Sequence, residues 1–164
     1  MPRATARPAA DVDWQQLDSQ LCFALYSASL ATTKLYKPVL EKLGLTYPQY
    51  LALLALWEQD GLAVNELGER LFLDSGTLTP LLKRMEAAGW LQRERASADE
   101  RRVLVTLTPA GRALKRRALV VPQRLASATG CSAGELASLT TRLQQLRTQV
   151  LDSTRASPMK HTRH

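Results

Sequence analysis

The stretch Leu73–Thr108, LDSGTLTPLLKRMEAAGWLQRERASADERRVLVTLT, decides how the rest of the chain folds. Asp74, Ser75 and Thr77 offer side-chain caps for a helix, and apolar residues then recur at helical spacing: Leu78, Leu81, Leu82 and Met85. Gly89 is placed to end that helix in a left-handed conformation. The sequence therefore predicts a helix within residues 73–89, with its apolar face in the core.

Pro80 conflicts with this helix, because proline removes a backbone N–H and is harmless only in the first turn. With Thr77 as the cap, Pro80 is the third helical residue, whereas with Ser75 as the cap it falls one turn too deep. The residues do not choose between these two caps. We therefore expect an irregular first turn.

Two short runs with strand character follow the helix, Trp90–Glu94 and Val103–Leu107. Residues 95–102, RASADERR, lie between them and are too polar to bury, which suits an exposed hairpin tip. A capped helix followed by a basic hairpin is the core of a winged helix-turn-helix. Its helix enters the DNA major groove, and its hairpin, the wing, lies against the adjacent minor groove.

An ordinary exposed surface is the competing interpretation of this stretch. Its charge favours that interpretation, since six basic side chains are nearly matched by five acidic ones. The order of the elements, rather than their charge, is what predicts DNA binding.

The remainder of the chain is predicted to be mainly helical around the small β-hairpin. Helices are expected at about 13–43, 46–59, 64–72, 73–89, 109–122 and 132–151. Two of them open on capping boxes, Thr46–Gln49 and Ser132–Glu135, and Thr108 with Pro109 opens another.

One domain is expected at residues 13–151, between disordered tails at 1–12 and 152–164. Its DNA-binding body covers about 46–108. The flanking helices, 13–43 and 109–151, carry apolar stripes that a compact winged-helix body does not need, and exposing them would be costly. We therefore expect a homodimer. The helix at 73–89, which we call the reader helix, would then occur twice, with the two copies about 34 Å apart, one turn of DNA.

Composition and charge indicate what kind of partner the protein binds and in which compartment it is expected. The net charge of +7 and the pI near 9.8 favour a polyanionic partner without naming it. The longest strongly apolar run, Leu51–Trp57, is too short to span a bilayer, and the N-terminus lacks a secretory signal, so we expect a cytoplasmic protein with no membrane partner. The two histidines, His161 and His164, lie in the C-terminal tail, so no metal or other cofactor is expected.

A cysteine and three tyrosines form a second group of interest. Cys22 and Tyr26 are four residues apart and so share a helix face, whereas Tyr36 lies about 21 Å further along the axis. Tyr36 can reach only the cysteine of an antiparallel partner helix, and Tyr47 can close the same pocket. Phenolic hydroxyls that donate to sulfur favour the thiolate. A buried cysteine among core aromatics is the competing and commoner arrangement.

Four segments together resemble the organic hydroperoxide resistance regulators, a branch of the MarR family of winged-helix regulators. They are LCFALYSAS at 21–29, KLYKP at 34–38, LTYPQYLALLALWE at 45–58, and the stretch at 73–108. The resemblance implies a repressor whose reduced form binds a palindromic operator and whose form oxidised by organic hydroperoxide releases it. It matches Cys22 to the peroxide-reactive cysteine and Tyr26, Tyr36 and Tyr47 to the pocket tyrosines. Cys131 matches a second cysteine that forms a disulfide between subunits.

The two cysteines also differ in their expected settings. Cys131 precedes the cap at Ser132, a movable position at a helix entrance, whereas Cys22 is expected to be buried in the middle of a helix. A disulfide needs Cα atoms within about 7 Å. If Cys22 and Cys131 lie further apart in the reduced dimer, a disulfide between them must move the dimer helices and change the spacing of the two reader helices.

The expected DNA contacts come from the fourth helix and the wing: Ser75, Thr77, Thr79, Lys83, Arg84, Arg93, Arg95, Asp99, Arg101 and Arg102. Asp99 is expected to orient Arg101, whose planar guanidinium suits a narrow minor groove.

Two other functions remain open. A MarR-type repressor could be released by a phenolic or aromatic ligand without any reaction. A thiol peroxidase would need an activating arginine or threonine near the cysteine, and residues 15–21, QQLDSQL, supply neither, so no enzyme is expected.

Overall fold

The protein, seen in a computed structural model, is described at residues 13–96 and 99–156, with the backbone alone at 96 and 99–101. The described residues form seven α-helices: α1 Leu21–Glu41, α2 Tyr47–Glu58, α3 Val64–Leu71, α4 Ser75–Ala87, α5 Pro109–Arg117, α6 Val120–Thr129 and α7 Ala133–Ala156. Three strands complete the fold: β1 Leu62–Ala63, β2 Leu91–Ala96 and β3 Asp99–Leu107. The mainly helical class with a small β wing is confirmed.

The chain divides into two compact units, residues 1–121 and 122–164. In the first unit, α2 lies at the centre, and its Ala52, Leu53 and Leu56 are at most 1% exposed. The end of α1, helices α3 to α5 and the sheet surround it with buried apolar residues, including Leu40, Leu67, Leu82, Leu91, Val105 and Leu114. The second unit holds most of α6 and all of α7, and its described part has no buried residue. None of the described helices is long and apolar enough to cross a membrane.

A tight turn joins α3 to α4. Phe72 adopts the left-handed conformation at φ 56, and the N–H of Leu73 donates to the carbonyl of Gly68 at 3.0 Å. The bond from Phe72 N–H to the Glu69 carbonyl at 3.3 Å completes this helix ending. A Cβ on Gly68 would lie 3.0 Å from the Leu73 carbonyl oxygen, so glycine at this position lets the two helices meet closely.

Of the three candidate caps that the sequence offers, Ser75 and Thr77 do not fill the position, and α4 is capped by Asp74. Its carboxylate accepts two bonds from Thr77, one from the backbone N–H at 2.9 Å and one from the hydroxyl at 2.9 Å. The two carboxylate oxygens accept one bond each, whereas a hydroxyl offers a single oxygen atom, so the aspartate suits both donors. These bonds hold the pKa of Asp74 below its usual range. Helix α4 is continuous through Pro80, and the expected irregular first turn is absent from it.

The wing is longer than predicted. Strand β2 pairs antiparallel with β3 from Leu91↔Leu107 to Arg95↔Val103, with an irregular register after Arg95. Most of the residues expected in the hairpin tip therefore belong to strands, and residues 97–98 lie outside the described part. Strand β1 was not predicted, because a two-residue strand is too short to show an alternating pattern. It pairs with the other edge of β3, so the order is β1-β3-β2.

Three helix boundaries differ from the prediction. A 3-10 turn at Leu17–Ser19 precedes α1, which begins at Leu21 rather than near residue 13. The single helix expected at 109–122 is two, and Pro122 falls in the first turn of α6, where a missing N–H is harmless. Helix α7 continues to Ala156, so residues 152–156 are helical rather than part of a disordered tail. The tails at 1–12 and 157–164 lie outside the described residues.

Helix α5 approaches the start of the wing so closely that only glycine fits at position 111. A Cβ there would lie 2.0 Å from the carbonyl oxygen of Trp90. The indole N–H of Trp57 donates to the Gly111 carbonyl at 2.9 Å, which ties α2 to the same point. The base of the wing is thereby fixed against α2 and α5.

Gly111→Ala should therefore lower the free energy of unfolding by about 2 kcal/mol or more, because backbone must move to admit the methyl group. Urea unfolding followed by circular dichroism measures the change. Gly134→Ala in α7 is the matched control. A Cβ there meets nothing within 4 Å, and alanine favours a helix, so stability should stay level or rise slightly. Equal stability of the two variants would contradict the close approach at Gly111.

Candidate DNA interface and thiol site

Helix α4 presents the polar surface that the sequence predicted for DNA binding. Leu78, Leu81, Leu82 and Met85 are buried, as predicted, and Ser75, Thr77, Lys83 and Arg84 are exposed on the remaining surface. Thr79 is half-buried at the edge of that surface. The hydroxyl of Thr77 already donates to Asp74, so its remaining lone pairs and methyl group are what it can offer a ligand.

Arg93, which is predicted to contact DNA, is bound to Glu86 within the chain. Its backbone N–H donates to Oε1 of Glu86 at 2.9 Å, and Nε and Nη2 donate to Oε2 at 3.0 and 2.6 Å. The Arg93 side chain is 23% exposed. The hydrogen bond from the Arg93 side chain is the main cause that holds the pKa of Glu86 below its usual range. This pair attaches β2 to α4.

Glu66 attaches β3, the other strand of the wing, to α3. Glu66 on α3 accepts a bond from Nη2 of Arg102 on β3 at 2.7 Å. Its other oxygen accepts the backbone N–H of Ala63 at 2.9 Å, which is the half of a capping box that remains when alanine is at the cap position. Arg102 is half-exposed, so it remains available to a second anion while its position is set by Glu66.

The two glutamates were missed in the sequence analysis. A signal for the Glu86–Arg93 pair was present in the sequence, since an acidic and a basic residue stand on opposite sides of the turn at Gly89. The tip of the wing carries the remaining predicted contacts. Arg95 is exposed, and the side chains of Asp99 and Arg101 lie outside the described part of the chain, so their roles stay predictions.

Two of the three predicted pocket tyrosines come together in one chain. The rings of Tyr36 and Tyr47 stack with centroids 5.7 Å apart. Burial, and then proximity to Tyr47, raises the pKa of Tyr36. Tyr50 joins this cluster and packs edge-on against Trp57 at 6.3 Å. Burial, with Tyr36 and Tyr47 nearby, also raises the pKa of Tyr50. The i, i+3 spacing of Tyr47 and Tyr50 on α2 was the signal for it.

Cys22 is not in the middle of a helix, so that expectation was wrong. It is the second residue of α1 and is exposed in the single chain, because the extended backbone at Gln20 starts the helix there. Tyr26, one turn further on, is 61% exposed beside it. Tyr36 is fourteen residues away along the same helix, about 21 Å, so the Tyr36–Tyr47 pair does not serve Cys22 of its own chain.

Cys131 lies between α6 and α7, at the helix entrance where the sequence predicted it. Its N–H donates to Oγ1 of Thr129 at 3.3 Å, and its Sγ is 3.8 Å from the Thr129 carbonyl oxygen. Gly130 takes a positive φ of 64 beside it. The predicted capping box follows, with Ser132 N–H donating to Glu135 at 2.8 Å and Glu135 N–H to Oγ of Ser132 at 3.3 Å. Bonds from Ser132 hold the pKa of Glu135 below its usual range.

Known proteins share both the sequence and the fold. Residues 34–118 match the family described as transcriptional regulator SarA/Rot. The chain is 50% identical over 134 residues to the organic hydroperoxide resistance transcriptional regulator of Bacillus subtilis, covering 82% of this chain and 91% of that protein.

Among solved structures, reduced AbfR of Staphylococcus epidermidis bound to DNA shares 36% identity at a TM-score of 0.64, covering 82% of this chain and 95% of that one. Disulfide-formed AbfR shares 38% identity at a TM-score of 0.58, covering 79% and 91%.

The Glu86–Arg93 pair should contribute measurable stability. In a double-mutant cycle with Glu86→Gln and Arg93→Gln, a coupling energy of about 1 kcal/mol is expected at pH 7, since the pair is partly exposed. Because the pKa of Glu86 is lowered on folding, the coupling is fully present above the ordinary glutamate pKa and is lost as the pH falls through the folded value. Urea unfolding across this range measures it.

The Lys37–Glu41 pair provides the control. Its charged atoms are 3.8 Å apart and its side chains are 71% and 62% exposed, so the same cycle should give a coupling close to zero. A coupling at Glu86–Arg93 no larger than that of the control would contradict the role of this pair.

Proposed function

The chain belongs to the family of winged-helix transcriptional regulators that includes the organic hydroperoxide resistance regulator of Bacillus subtilis, and from that premise we propose that it is a peroxide-sensing repressor. Its reduced homodimer binds a palindromic operator in double-stranded DNA. Organic hydroperoxide oxidises Cys22, a disulfide then forms with Cys131 of the other subunit, and the DNA is released.

The arrangement of Cys22 and the tyrosines is the observation that carries this proposal. Cys22 and Tyr26 are exposed at one end of α1, while the stacked Tyr36–Tyr47 pair lies about 21 Å along it. An antiparallel partner helix brings each thiol to the other chain's tyrosine pair. The hydroxyl of Tyr36, like any phenol at neutral pH, is a donor that can favour the thiolate.

Exposed apolar side chains support the dimer. On α1 they include Leu21, Leu25 and Leu30, which are 52%, 38% and 54% exposed. On α7 they include Leu139, Leu143, Val150 and Leu151. Exposing apolar residues along two long helices is costly in water, and a two-fold interface removes that cost while it assembles the thiol site.

The reaction needs the hydroperoxide as its single oxidant. The thiolate of Cys22 attacks the hydroperoxide, an S–O bond forms, the O–O bond breaks, and the alkoxide leaves as the alcohol after taking a proton. The Cys131 thiol then attacks the sulfenic acid, an S–S bond forms, and water leaves. Two electrons pass from the two thiols to the hydroperoxide, so the protein is consumed stoichiometrically until a reductant restores it.

The position of Cys131 supports the step that releases DNA. A disulfide needs Cα atoms within about 7 Å, and Cys131 lies at a joint between two helices where Gly130 has a positive φ. Movement at this joint costs less than movement within a helix. The structures of AbfR, reduced on DNA and in a disulfide form, concern a relative that has both states. The proposal gives this chain the same two states.

A repressor that binds an aromatic ligand without reacting is the main alternative. The groove beside Trp57 is lined also by Asp60, Arg112 and Lys115. Arg112 already donates to Asp60 at 2.6 Å, and Lys115 donates to the Trp57 carbonyl at 3.2 Å. Because these groups are engaged with one another, this groove gives less support to a ligand site than the exposed thiol gives to a redox site.

Cys22→Ser and Cys131→Ser should separate the two steps. Cys22→Ser is expected to bind operator normally and to keep it after treatment with cumene hydroperoxide, because the nucleophile is missing. Cys131→Ser should still be oxidised but should form no covalent dimer and should proceed to sulfinic acid. Fluorescence anisotropy with labelled operator, non-reducing gels and intact-protein mass spectrometry give the three readouts.

Reduction with dithiothreitol after oxidation is the internal control, and it should restore operator binding in the wild type alone. Wild-type protein that releases DNA with neither a crosslinked dimer nor an oxidised Cys22 would refute the redox mechanism. An inert aromatic compound that releases DNA equally well would favour the alternative.

Arg101 and Arg102 provide a matched pair for testing the wing. Arg101→Ala should weaken operator binding by at least about tenfold and lower its salt dependence, because a minor-groove cation is lost. Arg102→Ala should have a smaller effect on affinity, since the Arg102 side chain is paired with Glu66. Anisotropy titrations at several salt concentrations measure both. Equal losses in the two variants would mean that bulk charge, rather than Arg101, binds the DNA.

A further inference from the structure

The part of α4 farthest from the core has no long side chain in its N-terminal half. Leu78 and Leu82 are buried, and Gly76 and Pro80 precede them by two residues, which is about 200° of rotation on a helix. Gly76 and Pro80 therefore form a strip on the opposite side, and both are exposed. We call this the Gly76–Pro80 strip.

Polar side chains flank the strip. Ser75 and Thr79 lie on one side of it and Thr77 on the other, and Lys83 continues it toward the C-terminus. The surface that enters the groove first is therefore a glycine backbone and a pyrrolidine ring, and hydrogen-bonding groups stand beside them. The sequence analysis assigned only the polar residues to DNA.

Pro80 lowers the stability of the helix that contains it. It is the sixth residue of α4, and it lacks the N–H that would bond to the carbonyl of Gly76. A proline inside a helix is strongly unfavourable compared with alanine. An exposed residue that opposes its own helix and packs against no core is expected at a functional surface rather than a structural one.

We propose that Pro80 contacts the C5-methyl group of a thymine in the major groove, and that Gly76 allows the helix to approach closely enough. The methyl group of thymine is the apolar feature of the major groove, and an apolar ring recognises it where a hydroxyl or cation does not. The operator then carries a thymine at one fixed position in each half-site. This inference rests on the proposed function of the protein as a DNA-binding repressor.

Uracil substitution tests the contact directly, because deoxyuridine lacks only the methyl group. An operator is first selected from a random pool of duplexes with the reduced full-length protein. Each thymine pair in its two half-sites is then replaced by deoxyuridine, one symmetric pair at a time. Wild-type affinity should fall about threefold to tenfold at one position and stay level at the others.

Pro80→Ala is the decisive variant. It should bind the thymine operator as weakly as the wild type binds the deoxyuridine operator, and the substitution at that position should cost it nothing further. Its melting temperature should rise, because the helix regains a hydrogen bond, so the loss of affinity cannot come from unfolding. Thr79→Ala, on the flank, is the matched control and should keep the sensitivity to deoxyuridine.

Three results would overturn the inference alone. They are a selected operator without a shared thymine, equal wild-type affinity for every deoxyuridine operator, and the same loss from deoxyuridine in Pro80→Ala as in the wild type. If the reduced wild-type protein selects no duplex at all, the proposed function fails and this inference fails with it. The two failures are therefore distinguished by whether any operator is bound.

Discussion

The close approach of Gly111 to the carbonyl of Trp90 is the constraint on which the DNA-binding unit depends. At this point the end of α4, both ends of the wing and the start of α5 meet within a few ångströms. The hydroxyl of Thr108 donates to the Gly89 carbonyl at 2.6 Å and accepts the Gly111 N–H at 3.1 Å. The Thr108 N–H donates to the Trp90 carbonyl at 3.0 Å. Any larger residue at 111 would separate the elements that these bonds join.

Glu66 on α3 and Glu86 on α4 fix the wing further along its strands. Glu86 holds Arg93 on β2 and Glu66 holds Arg102 on β3, so each strand is attached to a different helix of the helix-turn-helix. Arg93 and Arg102 thus set the position of the wing. A reader helix and a wing that span two neighbouring grooves must keep a fixed separation, and these two ion pairs are suited to maintain it.

Local patterns in the sequence predicted most of this architecture, and the errors have identifiable causes. The apolar spacing from Leu78 to Met85 and the two capping boxes are signals within a few residues of one another, and the helices they predict were found. The cap of α4 was left open because Asp74, Ser75 and Thr77 all carry side chains that can cap a helix. Strand β1 and the Glu66–Arg102 pair depend on contacts between distant parts of the chain. Periodicity carries no information on such contacts.

The position of Cys22 connects the fold to the proposed chemistry. At the second position of α1 the Cys22 thiol is exposed in the single chain, and Tyr36 lies about 21 Å further along the same helix, where its ring stacks on Tyr47 of α2. In the proposed dimer, each sensing site combines Cys22 of one subunit with the Tyr36–Tyr47 pair of the other. Oxidation then acts on the interface itself, and the interface sets the distance between the two reader helices.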